Sequence, residues 1–376
     1  MNKPEQFIKA QLETRAQHGL LRKLSTDQFP IDFCSNDYLG FARSALLKKM
    51  TEDILSTIPQ YKNGSTGSRL LTGNHLFTED TERAIAYFHQ AESALLFNSG
   101  YDANIGLLSA LPQRGDTIIA DELIHASLID GARLSHANRY TFRHNDLEHL
   151  ESKLKIARGN TYVVVESVYS MDGDIAPLRE IVELCENYQA ALIVDEAHAT
   201  GIFGLHGRGL ICEMELQNIV FARIITFGKA MGTHGAVVLG SEGLREYLIN
   251  FARSFVYTTA PTPHHIASVK AAYQLLQKSN YPELISERIA FFNKVAGEAG
   301  LRCDLGRSPI KSFLCPGNAN ARAAAFSLQK IGMDVRAILS PTIPEGQERL
   351  RICLHLFNTD QEIMQLTDTL KRVQNT

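Results

Sequence analysis

Through the middle of the chain apolar residues fall in short runs, at 117–120, 162–165, 192–194, 224–226 and 236–239, which alternate with stretches of helical spacing such as 177–188. Runs of that length between helices predict buried parallel strands, hence an α/β sheet with helices on both faces. Upstream, Phe7, Ile8 and Leu12 recur at helical intervals and predict a helix over 5–17, which gives way at Gly19 to an arm carrying Arg22 and Lys23. The glycine-rich stretch 64–73 reads as a loop, and 78–88 as a helix with Thr78 at its cap and acids in its first turn. Past 257–261 the pattern shifts to longer helices, 263–278 and 282–299, followed by mixed α+β sequence. The expected organisation is an N-terminal helix and arm (1–45), a large α/β domain (46–260) and a smaller α+β domain (261–376). The absence of any repeat of fixed period excludes solenoids and propellers.

Composition narrows the function classes. The chain has 376 residues, 44% hydrophobic and 21% charged, which is ordinary for a compact globular protein. A net charge of -3 supplies no general attraction to phosphate backbones or anionic lipid, so neither nucleic acid nor a membrane is an expected partner. Cys34, Cys185, Cys212, Cys303, Cys315 and Cys353 are scattered without a C-x-x-C pair, which suits a reducing compartment, and no metal site is expected. The N-terminal stretch lacks the apolar core of a secretory signal, and nowhere do about 18 apolar residues run together, so a soluble cytoplasmic protein is expected.

The candidate chemistry sits at the ends of the apolar runs. In 191–198, ALIVDEAH, a buried strand delivers Asp195 at its C-terminal end with His198 three residues on, and ligands of open α/β sheets collect at that end. In 224–232, IITFGKAMG, a second strand ends in Thr226 and is followed by Lys229 beside a glycine. The segment 95–104, LLFNSGYDAN, places a small turn before a helix, where backbone N–H groups and the helix dipole favour a phosphate. His125 and Ser170 each follow a predicted strand. Singly, each has an ordinary explanation: a helix cap, a surface lysine, a simple turn, a structural histidine. Together they supply what pyridoxal 5′-phosphate requires: an amine for its aldehyde, an anion for its ring nitrogen, a phosphate cradle and donors for its ring hydroxyl.

The segments SNDYLG (35–40), GSTGSRLLTGNH (64–75), NSGYDAN (98–104), HASL (125–128), SMDGDIAPL (170–178), VDEAHATGIFGLHGRG (194–209), TFGKAMG (226–232) and ERLRICLH (348–355) also resemble the α-oxoamine synthases along nearly the whole chain. The short N-terminus and the RHND at 143–146 are most similar to the biotin-synthesis branch of that group. The resemblance implies the type I fold of pyridoxal-phosphate-dependent transferases, with a mainly parallel sheet in a large domain and a smaller α+β C-terminal domain. It implies Lys229 as the Schiff-base lysine, Asp195 as partner of the pyridinium nitrogen and His198 as donor to the ring hydroxyl. Gly100 and Tyr101 would hold cofactor through their backbone, Ser170 and Thr226 through hydroxyls, and His125 would stack over the ring; Lys229, Asp195 and His125 form the expected catalytic set.

Arg22, His125, Thr342 and Arg351 are the expected substrate contacts. Several relatives carry an arginine two residues before the Pro-Thr pair of this loop, whereas here Leu339-Ser340 precedes Pro341-Thr342. The implied reaction joins L-alanine to a pimeloyl thioester, of coenzyme A or of an acyl carrier protein, with loss of carbon dioxide. Glycine with an acetyl donor, or serine with a long acyl chain, are the alternatives within the group. The resemblance further implies a homodimer in which the segment 257–259 reaches the neighbouring phosphate. In 349–353, RLRIC, alternation along a strand would put Arg349 and Arg351 on one face, with Arg349 expected in no more than a surface ion pair. A nucleotide-binding module is disfavoured, because no G-x-G-x-x-G follows a strand and no G-x-x-x-x-G-K-[ST] is present.

Overall fold

The computed structural model describes residues 2–375. Its strands, in chain order, are β1 (Ile31–Asp32), β2 (Ser93–Phe97), β3 (Thr117–Asp121), β4 (Asn138–Phe142), β5 (Thr161–Glu166), β6 (Ala191–Asp195), β7 (Ala222–Thr226), β8 (Ala236–Gly240), β9 (Ile310–Leu314), β10 (Met333–Asp334), β11 (Arg336–Ile338) and β12 (Arg349–Cys353). Seven of them form one sheet in the order β2-β8-β7-β6-β5-β3-β4. Every residue of β2 and β5 is buried, and because successive side chains point to opposite faces, both faces of the sheet are covered. Val163, Val164, Val165, Ile193, Val194, Ile224 and Ile225 form its centre, each 0% exposed.

The run at 236–239 was expected to be a parallel strand, and the structure corrects this. β8 runs antiparallel to both β7 and β2. The connection 227–235 is shorter than the dozen or so residues a parallel crossover needs, so the chain turns straight back. Two reversals restore direction, and β2 therefore ends at the same edge as β5, β6 and β7. β2 and β4 lie outside the runs singled out in the sequence. β4, NRYTF, has a mostly exposed pattern and closes the edge of the sheet, where polar residues are tolerated.

Helices occupy Leu178–Asn187, Pro263–Leu276 and Tyr281–Ala299, close to the spans expected. The helix of 78–88 starts earlier, at Leu76, with His75 at the cap and Thr78 buried inside the first turn, so Thr78 is not its cap. The helix Lys3–Gln17 is closed by a capping box between Asn2 and Glu5 and buries none of its residues. After it, β1 pairs in parallel with β10, and the following segment is stitched to the C-terminal part of the chain. Cys353 N donates to Phe33 O (2.8 Å), Leu356 N to Tyr38 O (2.9 Å) and Asn358 Nδ2 to Asp32 O (2.9 Å). β11, β12 and β9 form a separate antiparallel sheet. Among the described residues no helix is long and apolar enough to cross a membrane.

Removing the Ile193 side chain tests this centre. Ile193→Ala should destabilise the protein by about 2 to 5 kcal/mol, lowering its urea midpoint, whereas Leu24→Ala, at a fully exposed position, should leave the midpoint unmoved. Equal midpoints for the two variants would remove β6 from the core.

Candidate active site

The edge shared by the C-terminal ends of β2, β5, β6 and β7 gathers most of the candidate residues. β6 delivers Asp195, which is 5% exposed. One of its oxygens accepts from Ala197 N and the other from Asn104 Nδ2, both at 2.9 Å. Register places Glu166, the last residue of β5, beside it. Glu166 is 3% exposed, its Oε1 has no hydrogen-bond partner, and burial followed by the Asp195 charge pushes its carboxyl up to about 8.

Lys229 stands in the turn between β7 and β8. That turn is closed by bonds from Thr233 N to Phe227 O, Gly232 N to Lys229 O and Phe227 N to Gly235 O, each 2.9 Å. Gly232 has φ +61°, and a Cβ there would meet Ala42 N at 2.2 Å, so no other residue fits. Lys229 Nζ lies 2.8 Å from His198 Nε2. His198 Nδ1 lies 2.8 Å from the Tyr38 hydroxyl, which donates to Asn36 Oδ1 at 3.0 Å. Arg351 Nη2 donates to the same oxygen at 3.0 Å, so an unbroken polar chain joins the lysine to the arginine. Burial holds the Lys229 amine below its usual value, against the pull of Asp195 and Glu166. Burial and then the Lys229 charge hold His198 well below the usual imidazole range. Burial likewise pushes the Tyr38 hydroxyl up.

Arg351 is held by hydrogen bonds on all three of its nitrogens. Its Nε donates to Ser170 O (2.6 Å) and its Nη1 to Cys353 Sγ (3.0 Å), besides the bond to Asn36. Three acceptors thus fix the guanidinium, with the Tyr38 hydroxyl beside it. Arg349 departs from expectation: it is 9% exposed and ion-paired with Asp172, so its pair is not a surface one. Both arginines reach the segment 170–172, as strand alternation requires.

The cradle stands at the start of the helix Gly100–Ala110, whose cap Ser99 accepts from Asp102 N. A Cβ on Gly100 would meet Thr226 Oγ1 at 2.7 Å, so the backbone there is bare and close to a hydroxyl. The N–H groups of Gly100 and Tyr101 belong to the first turn and have no acceptor within the helix. The hydroxyls of Thr226 and Ser170 make no hydrogen bond among the described residues, though Ser170 uses its carbonyl. Asn98 holds Thr258 Oγ1 and Thr259 O beside this turn, at 3.0 and 2.9 Å. Bare backbone, free donors, an edge carboxylate and a desolvated amine together fit pyridoxal phosphate.

Three candidates stand elsewhere or contribute differently. Arg22 lies in an exposed arm and Thr342 in an exposed loop. The Tyr101 side chain turns away, 46% exposed, to donate to Asp130 Oδ2 at 2.7 Å. Conversely Asn36, Tyr38, Asn104, Ser127 and Glu166 are site residues that the sequence reading did not assign. Four of them stand inside the recognised segments SNDYLG, NSGYDAN and HASL, and Glu166 directly follows the apolar run 162–165.

The model of the family described as aminotransferase class I and II matches residues 30–370. The chain is 42% identical to the 8-amino-7-oxononanoate synthase of Emericella nidulans, over 90% of this chain and 88% of that one. A solved 8-amino-7-oxononanoate synthase from Francisella tularensis superposes with a TM-score of 0.79 at 30% identity, covering 92% of this chain and 98% of that one. A structure described as SPT with PLP internal aldimine, SPT being serine palmitoyltransferase, superposes with a TM-score of 0.90 at 25% identity, covering 100% and 99%.

Glu166 generates a pH test on protein free of any ligand. Its folded value of about 8 lies above the ordinary 4.5, so the neutral form is the one the fold favours. Stability from this group is fully present below the ordinary value and is lost as pH rises through about 8. Glu166→Gln should therefore gain urea midpoint relative to the unaltered protein as pH rises from about 5 to about 8. Parallel midpoint curves for the two proteins would show that Glu166 is not held neutral.

Proposed function

The chain belongs to the class I and II aminotransferase family, in its α-oxoamine synthase branch, and on that premise we propose that it condenses L-alanine with a pimeloyl thioester to give 8-amino-7-oxononanoate, carbon dioxide and free thiol in biotin synthesis. The cofactor is pyridoxal 5′-phosphate. When bound it supplies an aldehyde for an amine and a ring that accepts the electron pair left when a bond to the amino-acid Cα breaks. The observation that carries the reading is the 2.8 Å contact between Lys229 Nζ and the buried His198, on the same sheet edge as Asp195.

Each residue then has a task. Lys229 would hold the cofactor through its ε-amine, and its desolvated nitrogen, when free, would take the proton from the amino-acid Cα. Asp195, its carboxylate fixed by two donors, would face the ring nitrogen, and His198 would stand beside the ring hydroxyl. The N–H groups of Gly100 and Tyr101, with the hydroxyls of Thr226 and Ser170, take the phosphate. His125 covers the ring face. Arg351 would take the amino-acid carboxylate through its guanidinium, and Asn36 holds it there. Arg22 and Thr342 are assigned to the acyl donor, coenzyme A or an acyl carrier protein, within a cytoplasmic homodimer whose 257–259 segment approaches the partner's phosphate.

The backbone match to a serine palmitoyltransferase supports a second reading, serine with a long acyl donor. Backbone shape reports the common scaffold, whereas 42% identity across most of both chains favours the oxononanoate reaction. A screen of alanine, glycine and serine against pimeloyl, acetyl and palmitoyl thioesters, following thiol release and amino-ketone product, decides between them. Alanine with pimeloyl thioester should give the highest kcat/KM; a preference for another pair would overturn the substrate assignment.

Two variants test the roles. Lys229→Ala should abolish turnover in soluble, folded protein and remove the visible band that borohydride bleaches in the unaltered enzyme. Arg351→Ala should weaken alanine binding by roughly 30-fold or more, since truncating one partner of a buried charge pair costs on the order of 2 to 5 kcal/mol. Alanine titration of the visible spectrum reads this directly, and an unchanged affinity would place the carboxylate elsewhere.

A further inference from the structure

Two side chains that the mechanism above gives no task toward His125 join it to Asp195. Asn104, 2% exposed near the start of the helix Gly100–Ala110, donates through Nδ2 to Asp195 Oδ2 and to Ser127 Oγ, both at 2.9 Å. Its own Oδ1 is buried without a partner. Ser127, 0% exposed, faces His125 Nδ1 twice, through its hydroxyl at 2.7 Å and its backbone N–H at 3.2 Å.

The directions of these bonds follow from the carboxylate outward. A carboxylate only accepts, so the nitrogen of the Asn104 amide must face Asp195; reversing the amide would set oxygen against oxygen. The second hydrogen of that nitrogen goes to Ser127 Oγ. The Ser127 hydroxyl, having accepted, donates its own proton to His125 Nδ1. The Ser127 backbone N–H, which can only donate, points at the same ring nitrogen. Nδ1 is therefore the unprotonated position and the ring proton resides on Nε2, which makes no hydrogen bond among the described residues.

We propose that Asn104 and Ser127 are positioning residues, which carry the orientation of Asp195 to His125 and fix the imidazole in the tautomer whose Nε2–H is free to donate to a bound ligand. One pair of hydrogen bonds then sets both the group facing the ring nitrogen of the cofactor and the group covering its face. The consequence for the ligand rests on the cofactor reading above, whereas the tautomer does not. The charged groups facing the ring are Asp195 and Asp130, which favour its protonation, and Lys229, which opposes it; Glu166 accepts from the His125 backbone. Burial outweighs the acids and holds the imidazole below its usual value.

Nitrogen-15 NMR of histidine-labelled protein tests this, with the His125 signals identified by their loss in His125→Gln and recorded with and without pyridoxal phosphate. In the unaltered protein His125 should report Nε2–H at neutral pH. Ser127→Ala, which deletes one donor to Nδ1, should raise the His125 titration by roughly one pH unit, the size of one ordinary hydrogen bond. Ser127→Thr should restore it, and Asn104→Leu should shift it in the same direction by freeing the Ser127 hydroxyl to turn. A His125 titration unmoved in both Ser127→Ala and Asn104→Leu, or a proton found on Nδ1, overturns the proposal. Failure of the unaltered protein to take up pyridoxal phosphate would instead overturn the cofactor reading and leave the tautomer result standing.

Discussion

A lysine amine and an imidazole nitrogen 2.8 Å apart inside a desolvated pocket cannot both be charged, and the polarity of one whole side of the site follows from that. His198 is 3% exposed and is held well below its usual value by burial and by the Lys229 charge, so its ring is neutral. With Nε2 accepting from the amine, the single ring proton resides on Nδ1 and goes to the Tyr38 oxygen. The Tyr38 hydroxyl must then point at Asn36 Oδ1, which also receives Arg351. The Asn36 amide cannot turn over, since its nitrogen would face two donors. One exclusion of charge thus orients five side chains drawn from four separate stretches of sequence.

The sheet makes that meeting possible. Parallel strands all end at one edge, and the double reversal at β8 adds β2 to the set. The residue that follows each strand is thereby delivered to the same line: Gly100 beyond β2, Asp195 on β6, Lys229 beyond β7. Where the line needs backbone rather than side chain, glycine stands, at Gly100 against Thr226 and at Gly232 against Ala42. Beneath the line lies a second layer of polar contacts. Glu196, adjacent to Asp195 but facing the other way, is 0% exposed; it accepts from Ile211 N at 3.0 Å and so ties the glycine-rich stretch after β6 back to the strand. Asp195 is therefore held from its own oxygens by Ala197 and Asn104, and from behind by its neighbour.

The sheet and the edge that gathers the candidate residues were legible because buried strands between helices write an apolar run into the sequence, as 162–165 and 192–194 do. β4 was not, because an edge strand of composition NRYTF has no such run. The direction of β8 was hidden in the length of a connection rather than in the run itself. Thr78 shows a different limit: a threonine before acids resembles a cap, but here its side chain is wanted in the core and the helix begins at Leu76. Among site residues, those whose side chain carries charge, such as Lys229, Asp195 and Arg351, stood out. Tyr38, Asn36, Asn104 and Ser127 are neutral and act only through partners far along the chain. Their pairing is a tertiary fact that no local pattern records.

Asn36 and Tyr38 come from near the start of the chain and Arg351 from near its end, yet they are joined in one piece. Backbone bonds from Cys353 to Phe33 and from Leu356 to Tyr38, with the side chain of Asn358 on Asp32, bind the two stretches together. Lys229, His198 and Asp195 belong instead to the sheet. Within the pocket the polar links between these two bodies are Tyr38 to His198, Arg351 to Ser170 O and Arg349 to Asp172. Any displacement of one body against the other acts first on those contacts. A substrate whose carboxylate engages Arg351 while its amine sits at Lys229 spans the same gap, and so binds the two bodies together in the sense that the three contacts already do.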